Sequence, residues 1–130
     1  MCIRDSLSPW YQSEPLPLSN QPWYINGVLK VKTSLNPNNL LKTLLKIENS
    51  FGRTRKKKNE SRVIDLDLLT YNDLVIDSKL LVIPHARMHI RRFVLDPLID
   101  IAPEWVHTIF KIKATELRKK IKDQQNIKKL

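Results

Sequence analysis

Hydrophobic and polar side chains alternate most regularly over residues 62–70, whose sequence is RVIDLDLLT. A period of two predicts a β-strand, with Asp65 and Asp67 on one face and Ile64 and Leu66 on the other. Alternate residues of a strand lie about 6.5–7 Å apart, so two carboxylates project side by side. Carboxylates on such a strand need compensating positive charge. The pattern therefore predicts either arginine and lysine partners or divalent metal ions beside this face.

Two further strands are predicted upstream, over residues 7–13 and 24–33, because apolar side chains alternate there as well. The proline-rich stretch between them predicts a long loop. The elements then follow in the order β-β-α-β, with shorter pieces after them. Antiparallel pairing of the first two strands, with helices packed on one face, gives an α+β sandwich.

The helical signals are local. Asn36 followed by Pro37 is typical of a helix start, and leucines recur at helical spacing after it. A helical turn is predicted over residues 88–93, ahead of a run of core residues. Thr115 is the expected cap of a last helix over residues 116–125, and the end of the chain is expected to fray.

Composition indicates one modest domain, since the chain has 130 residues of which 42% are hydrophobic. The net charge of +10 is concentrated in residues 53–62, with six bases and one acid, and in residues 111–130, with eight bases and two acids. Such patches attract phosphate-bearing partners, although a solvated helix face is the simpler interpretation of the second patch. The single cysteine, Cys2, excludes an internal disulfide framework, and the longest aliphatic run is too short to span a membrane. These features favour a cytoplasmic protein.

Several motifs resemble one family. These are the RVIDLDLL segment, the stretch IPHARMHIRRFVL over residues 83–95, the IAP triplet at 101–103 and the QPWYIN segment at 21–26. Together they resemble 6-hydroxymethyl-7,8-dihydropterin pyrophosphokinase of folate biosynthesis, over about residues 7–106. The resemblance implies a ferredoxin-like α+β fold. It also implies the activity of 2-amino-4-hydroxy-6-hydroxymethyldihydropteridine diphosphokinase, which transfers diphosphate from ATP to the pterin hydroxymethyl group and releases AMP.

The resemblance also implies roles at the phosphate end of the site. Asp65 and Asp67 would hold two Mg²⁺ ions, which need few protein carboxylates because they keep water and phosphate oxygens. Arg62 and Arg53 would contact the phosphates, with Arg55 nearby, since a guanidinium binds phosphate in a bidentate way and stays charged. The alternative interpretation is structural, with the two acids paired to arginines.

Three more residues match the family's ATP side, namely Glu48, His85 and Arg91. The alternatives are an ordinary surface glutamate and a structural histidine. His89 and His107 have no such support from the resemblance, and we expect them to be structural or exposed.

The pterin side is matched by Tyr24, Asn26 and Phe93. Aromatic faces stack on a flat bicycle, and a side-chain amide both donates and accepts hydrogen bonds. From the residues alone, plain core aromatics are the preferred interpretation of Tyr24 and Phe93.

The chain departs from the family pattern at its start. Residues 1–6 are expected to be unrelated or artefactual, with a single domain over residues 7–130 that lacks the family's first strand and helix, about 25–35 residues. Residues 56–61 lack the tryptophan and the Gly-Pro pair usual in that loop, and Pro17 replaces a usual glycine. Because proline has no N–H, a backbone donor is lost there.

Three interpretations follow from these observations. The first is an enzyme whose partners are ATP and a dihydropterin, without nucleic acid or membrane, acting as a monomer. The second is a ferredoxin-like RNA-binding module, against which the two aspartates argue because they repel phosphate unless metal is present. The third is an inactive fragment, or one half of a fused folate enzyme.

Overall fold

The computed structural model describes residues 2–14, 23–51, 64–122 and 125–130. Its elements, in chain order, are four strands, one helix, two short strands, a 3₁₀ turn, two helices and a last strand. They are β1 (Cys2–Leu7), β2 (Tyr11–Ser13), β3 (Tyr24–Asn26), β4 (Leu29–Thr33), α1 (Pro37–Ser50), β5 (Ile76–Asp77), β6 (Val82–Ile83), the 3₁₀ turn Met88–Ile90, α2 (Arg92–Ile101), α3 (Ala114–Lys120) and β7 (Ile127–Lys129). Helices and antiparallel sheets together confirm the predicted α+β class.

The chain divides into two compact units. The first unit comprises Ser34–His85 and contains α1, β5 and β6. The second unit comprises Cys2–Thr33 and Ala86–Leu130, and it contains the remaining elements. Within the described ranges, no helix combines the length and the apolar character that crossing a bilayer requires.

The Ser34–His85 unit is built around α1. The Asn36 side chain caps this helix by accepting a hydrogen bond from the Asn39 N–H at 2.8 Å, and Pro37 is its first residue, as predicted. Leu40 is buried in α1, whereas Leu45 and Ile47 are exposed. The apolar stripe is therefore narrower than the leucine pattern indicates. The Tyr71 hydroxyl donates to the Leu35 carbonyl, which ties the chain after the acidic segment to the residue before the cap.

Antiparallel pairing organises the second unit. Strand β1 pairs with β4, and β2 lies between β3 and β7. Helix α2 packs against β2 and β3, and α3 packs against α2. The core of this unit includes Met88 and Leu95, which have no exposed surface, together with Leu98 and Leu117.

The predicted strands over 7–13 and 24–33 are each interrupted. The first breaks between Leu7 and Tyr11, and the second breaks between Asn26 and Leu29. Pro9 cannot donate a ladder hydrogen bond. The Ser8 N–H instead donates to the Val28 carbonyl, and the Ser8 hydroxyl accepts the Val28 N–H, each at 2.9 Å. The Trp10 ring lies against Gly27, where an added Cβ would approach ring carbons to 3.1 Å. The interruption is thus a paired irregularity, and a residue larger than Gly27 would require the Trp10 ring to shift by a few tenths of an ångström.

Three further predictions about elements are wrong. Residues 64–70 belong to no hydrogen-bonded strand, although residues 62–70 were predicted to form one. Helix α3 starts at Ala114, with Lys113 rather than Thr115 at the cap position, and ends at Lys120 instead of near residue 125. Residues 127–129 are not frayed, because they pair with β2 in the register Ser13 to Ile127 and Tyr11 to Lys129.

Polar side chains fasten β7 to the unit. The Gln125 side chain donates to the Glu14 carbonyl at 2.7 Å, and the Asn126 N–H donates to the Glu14 carboxylate at 2.8 Å. Lys129 forms an ion pair with Asp100 of α2 at 3.3 Å. At least one of the C-terminal basic residues, Lys129, therefore forms an ion pair within the unit.

A tight turn follows α2, and His107 stands at its centre. The His107 Nδ1 atom accepts hydrogen bonds from the N–H groups of Ile109 and Phe110, each at 3.2 Å. The imidazole is 2% exposed and stacks on the Phe110 ring, with centroids 4.4 Å apart. Burial, and then the charge of His89, lower the pKa of His107 below its ordinary value of 6.5. His107 is therefore structural, as expected.

Candidate active site

The acidic segment lies in the Ser34–His85 unit and keeps the alternation visible in its sequence. Asp65 and Asp67 are exposed, whereas Ile64, Leu66 and Leu68 are half-buried. Two carboxylates at alternate positions are thus presented to solvent, although no strand ladder holds the segment.

Hydrogen bonds from outside a ladder fix this segment instead. The Leu66 N–H donates to the Glu48 carboxylate oxygen Oε2 at 2.7 Å. The His85 N–H donates to the Leu69 carbonyl at 2.8 Å. The first bond joins the acidic segment to α1, and the second joins it to the chain that follows the cis peptide bond between Ile83 and Pro84.

Four predicted ATP-side or metal-side residues are therefore carried by one unit. Glu48 is 4% exposed and lies near the end of α1, so the alternative of a surface glutamate is wrong. His85 is half-buried, and its backbone is bonded two residues after Asp67. The bonds of Glu48 and His85 thus hold the chain on either side of Asp67.

The donor set of this segment fits Mg²⁺. Within the described ranges, no group of three or more histidine, cysteine, aspartate or glutamate side chains could enclose a metal ion. Magnesium does not require such an enclosure, because it is commonly held by one or two carboxylates together with water and substrate phosphates. Two exposed carboxylates at alternate positions meet that requirement.

The predicted pterin-side residues lie in the second unit, on β3 and α2. Tyr24 and Asn26 are alternate residues of β3, so they project from the same face. Tyr24 is 52% exposed and Asn26 is half-buried. Asn26 lies opposite Tyr11 of β2, which places it beside an element paired on both sides. The amide is thus presented by a well-supported strand, next to an accessible aromatic ring.

Phe93 lies in the first turn of α2 and is half-buried. The Arg91 guanidinium carbon lies 5.4 Å from the centroid of the Phe93 ring, a distance typical of a cation–π contact. Helix α2 packs against β3, so the elements that carry Phe93 and Asn26 are neighbours. Arg91, expected on the ATP side, is thus in contact with an expected pterin-side aromatic.

A charged cluster that the sequence analysis missed supports β2. The Tyr11 hydroxyl donates to the Asp100 carboxylate, and Lys129 of β7 lies beside both. Burial, followed by the hydrogen bond to Asp100, raises the pKa of Tyr11 above 10.0. Hydrogen bonding with Tyr11 and then Asp100 raises the pKa of Lys129. No local signal could reveal this cluster, because its members come from β2, α2 and β7.

The remaining predicted residues, Arg53, Arg55 and Arg62, lie outside the described residues. The altered loop 56–61 and Pro17 also lie outside them.

Comparisons with known proteins show which family this chain resembles. Residues 2–103 match the model of the 7,8-dihydro-6-hydroxymethylpterin-pyrophosphokinase family. That match begins inside the segment 1–6 which the resemblance leaves out, and a domain boundary at residue 7 stays a prediction.

Three relatives are 42–48% identical to this chain over the aligned residues. A 2-amino-4-hydroxy-6-hydroxymethyldihydropteridine pyrophosphokinase of Synechocystis is 48% identical over 99 residues, which cover 76% of this chain and 50% of the relative. The protein of that name in Haemophilus influenzae is 43% identical over 121 residues, which cover 93% of this chain and 75% of the relative. A folic acid synthesis protein of Schizosaccharomyces pombe is 42% identical over 101 residues, 78% of this chain and 14% of that protein. This chain therefore spans about half of the first relative, and it belongs to the 7,8-dihydro-6-hydroxymethylpterin-pyrophosphokinase family.

Proposed function

We propose that this chain transfers diphosphate from ATP to 6-hydroxymethyl-7,8-dihydropterin, which gives AMP and the pterin diphosphate, a step of folate biosynthesis. The observation that carries the proposal is the exposed pair Asp65 and Asp67, held against α1 through the Leu66 N–H within a chain of this family. Diphosphoryl transfer depends on charge neutralisation and in-line positioning more than on covalent help from the protein. Two exposed carboxylates on a segment that is hydrogen-bonded to α1 suit that requirement.

Asp65 and Asp67 are the residues proposed to hold two Mg²⁺ ions together with phosphate oxygens of ATP. When bound, the metal ions supply neutralisation of the polyphosphate charge. The protein's own contribution is to keep both carboxylates turned toward solvent, where a nucleotide has access to them.

The arginines are proposed to complete the phosphate site. Arg62 and Arg53 would hold phosphate oxygens and stabilise charge on the transferred group, with Arg55 nearby; the support for these roles is the sequence motif. His85 and Arg91 are proposed to bind the nucleotide.

The pterin is proposed to bind against Asn26, Tyr24 and Phe93. Packing between α2 and β3 supports this role, as does the exposure of the Tyr24 ring. Asn26 would recognise the heterocycle edge through its amide, and the rings would stack on its faces.

Further features are proposed from the sequence. We propose a ferredoxin-like arrangement, a monomer and a cytoplasmic location, with small-molecule substrates only. The family match and the acid pair favour the enzyme over an RNA-binding module.

The test is formation of AMP from ATP and the hydroxymethyldihydropterin, compared between the wild-type chain, Asp67→Asn and Asp73→Asn. Asp73 is an exposed aspartate in a turn of the same unit and serves as the matched control. We expect Asp67→Asn to lower kcat by roughly 10³-fold, the scale of several kcal/mol of lost charge stabilisation, with Asp73→Asn unchanged.

A binding measurement separates the two halves of the proposal. Isothermal titration with a non-hydrolysable ATP analogue should show magnesium-dependent binding that Asp65→Ala/Asp67→Ala abolishes. Near-normal turnover of Asp67→Asn would contradict the metal role. Magnesium-dependent nucleotide binding without AMP formation would mean that this chain is an incomplete enzyme.

A further inference from the structure

Glu48 occupies a position in α1 where the helical pattern calls for an apolar residue. Leu40, Leu44 and Glu48 recur at intervals of four and share one side of the helix. Leu40 and Glu48 are the buried residues of α1. A buried carboxylate is costly unless hydrogen bonds compensate it. A glutamate in a core stripe therefore indicates a specific partner.

The partner that the geometry provides is a backbone group of the acidic segment. The Glu48 Oε2 atom accepts the Leu66 N–H at 2.7 Å, within the range of a charge-assisted hydrogen bond. Leu66 is the residue between Asp65 and Asp67. A bond to the backbone N–H of this middle residue restrains the main chain between the two aspartates. The Asp65 and Asp67 side chains are exposed on either side of the half-buried Leu66, as expected for an alternating segment.

We propose that Glu48 is a positioning residue, which fixes the Leu66 N–H and thereby the two metal-binding carboxylates, and does not itself bind the nucleotide. The inference rests on the proposed function. It differs from the role that the resemblance implies, because a carboxylate that is 4% exposed has little surface to offer a ligand. Residues 64–70 form no strand ladder. The hydrogen bond from the Leu66 N–H to the Glu48 carboxylate therefore supplies part of the restraint that a ladder would give.

Two conservative variants separate positioning from charge. Glu48→Gln keeps the reach and an acceptor oxygen for the Leu66 N–H but removes the negative charge. Glu48→Asp keeps the charge but is one methylene shorter, so it loses the 2.7 Å bond. Glu104→Gln, at an exposed glutamate of the other unit, is the control.

The first measurement is hydrogen exchange of the Leu66 amide by NMR, which does not depend on activity. We expect protection in Glu48→Gln within about threefold of wild type, and a loss of at least about tenfold in Glu48→Asp, the scale for losing a hydrogen bond to a charged group. The second measurement is steady-state kinetics with magnesium and ATP. We expect kcat to fall by about 10²-fold in Glu48→Asp and to stay near wild type in Glu48→Gln, because misplacement of reacting groups has costs of this size.

The outcomes are distinct. If Glu48→Gln forms no AMP although its Leu66 amide is still protected, the proposal is overturned, and Glu48 has a direct electrostatic role. Unchanged Leu66 exchange in Glu48→Asp would also overturn it. If the wild-type chain forms no AMP, the proposed function fails, while the exchange experiment still decides whether Glu48 fixes Leu66.

Discussion

Acidification should destabilise this protein through His107, and the structure fixes the sign of the effect. Burial lowers the pKa of His107 in the folded state, whereas an unfolded histidine titrates near 6.5. Below about pH 6.5 the unfolded chain therefore binds more protons than the folded chain at this site. The contribution of His107 to the free energy of unfolding is complete above that pH. It declines as the pH falls and becomes constant below the pKa of the folded state.

The size of the effect follows from proton linkage and from the hydrogen bonds that the imidazole accepts. A single group changes the free energy of unfolding by at most about 1.4 kcal/mol for each pH unit between its two pKa values. Protonation of Nδ1 removes the acceptor for the N–H groups of Ile109 and Phe110, so these two bonds oppose protonation. His89, whose ring centroid lies 6.0 Å from that of His107, opposes it further when charged.

The matched variant is His107→Asn, because the Asn Oδ1 atom can accept the same two N–H groups but does not titrate. Loss of the Phe110 stacking alone should cost this variant about 0.5–1.5 kcal/mol at pH 8. The measurement is urea unfolding, followed by circular dichroism, at pH values from 5 to 8. We expect the stability gap between wild type and His107→Asn to narrow below pH 6.5.

A second control isolates the neighbouring charge. His89→Phe keeps an edge contact to Phe110 but removes the imidazole, so it should reduce the acid-induced loss without abolishing it. A gap between wild type and His107→Asn that stays constant from pH 5 to pH 8 would refute the reasoning.

Three other predictions concern a cap, the core and substrate binding. Asn36→Ala should destabilise the protein by about 1 kcal/mol in urea unfolding, because it removes the cap of α1, while Asn38→Ala on the exposed first turn should have little effect; equal losses would contradict the cap. Leu95→Ala, at a side chain with no exposed surface, should cost about 2–5 kcal/mol, whereas Leu80→Ala, at a residue 85% exposed, should cost less than about 0.5 kcal/mol; similar melting temperatures for both variants would refute this. Asn26→Ala should weaken pterin binding in calorimetry and leave binding of the ATP analogue unchanged, and an equal loss of both would argue against a pterin-side role.

Sequence reasoning succeeded where the information is local. The cap of α1 depends on Asn36, Pro37 and the next turn, all adjacent in sequence, and it is confirmed. The alternation that exposes Asp65 and Asp67 is likewise a property of five consecutive residues. In both places neighbouring residues decide the structure, so a pattern along the chain is sufficient.

Sequence reasoning failed where distant residues decide. The end of the chain forms β7 because its backbone finds β2 more than a hundred residues away, and the basic sequence of Ile127–Lys129 gives no sign of that partner. The bond from Leu66 to Glu48 replaces the predicted strand ladder, yet Glu48 differs from a surface glutamate only through the helix face that it shares with Leu40. The motif predicts the phosphate half of the proposed site, whereas the contacts that hold its acidic segment could not be predicted from the sequence.

The pairing of β2 with β7 has a consequence for biosynthesis. Ser13 and Ile127 are register partners, and the whole Ser34–His85 unit is translated between them. At roughly 5–20 residues per second, the ribosome needs on the order of 6–23 s to add the 114 residues that separate these partners. Throughout that interval the nascent β2 presents an unpaired edge, which is a template for association with other chains. The second unit can therefore complete its sheet only after β7 has left the exit tunnel. Until then, the shortness of β2, which has three residues, limits its pairing with other chains.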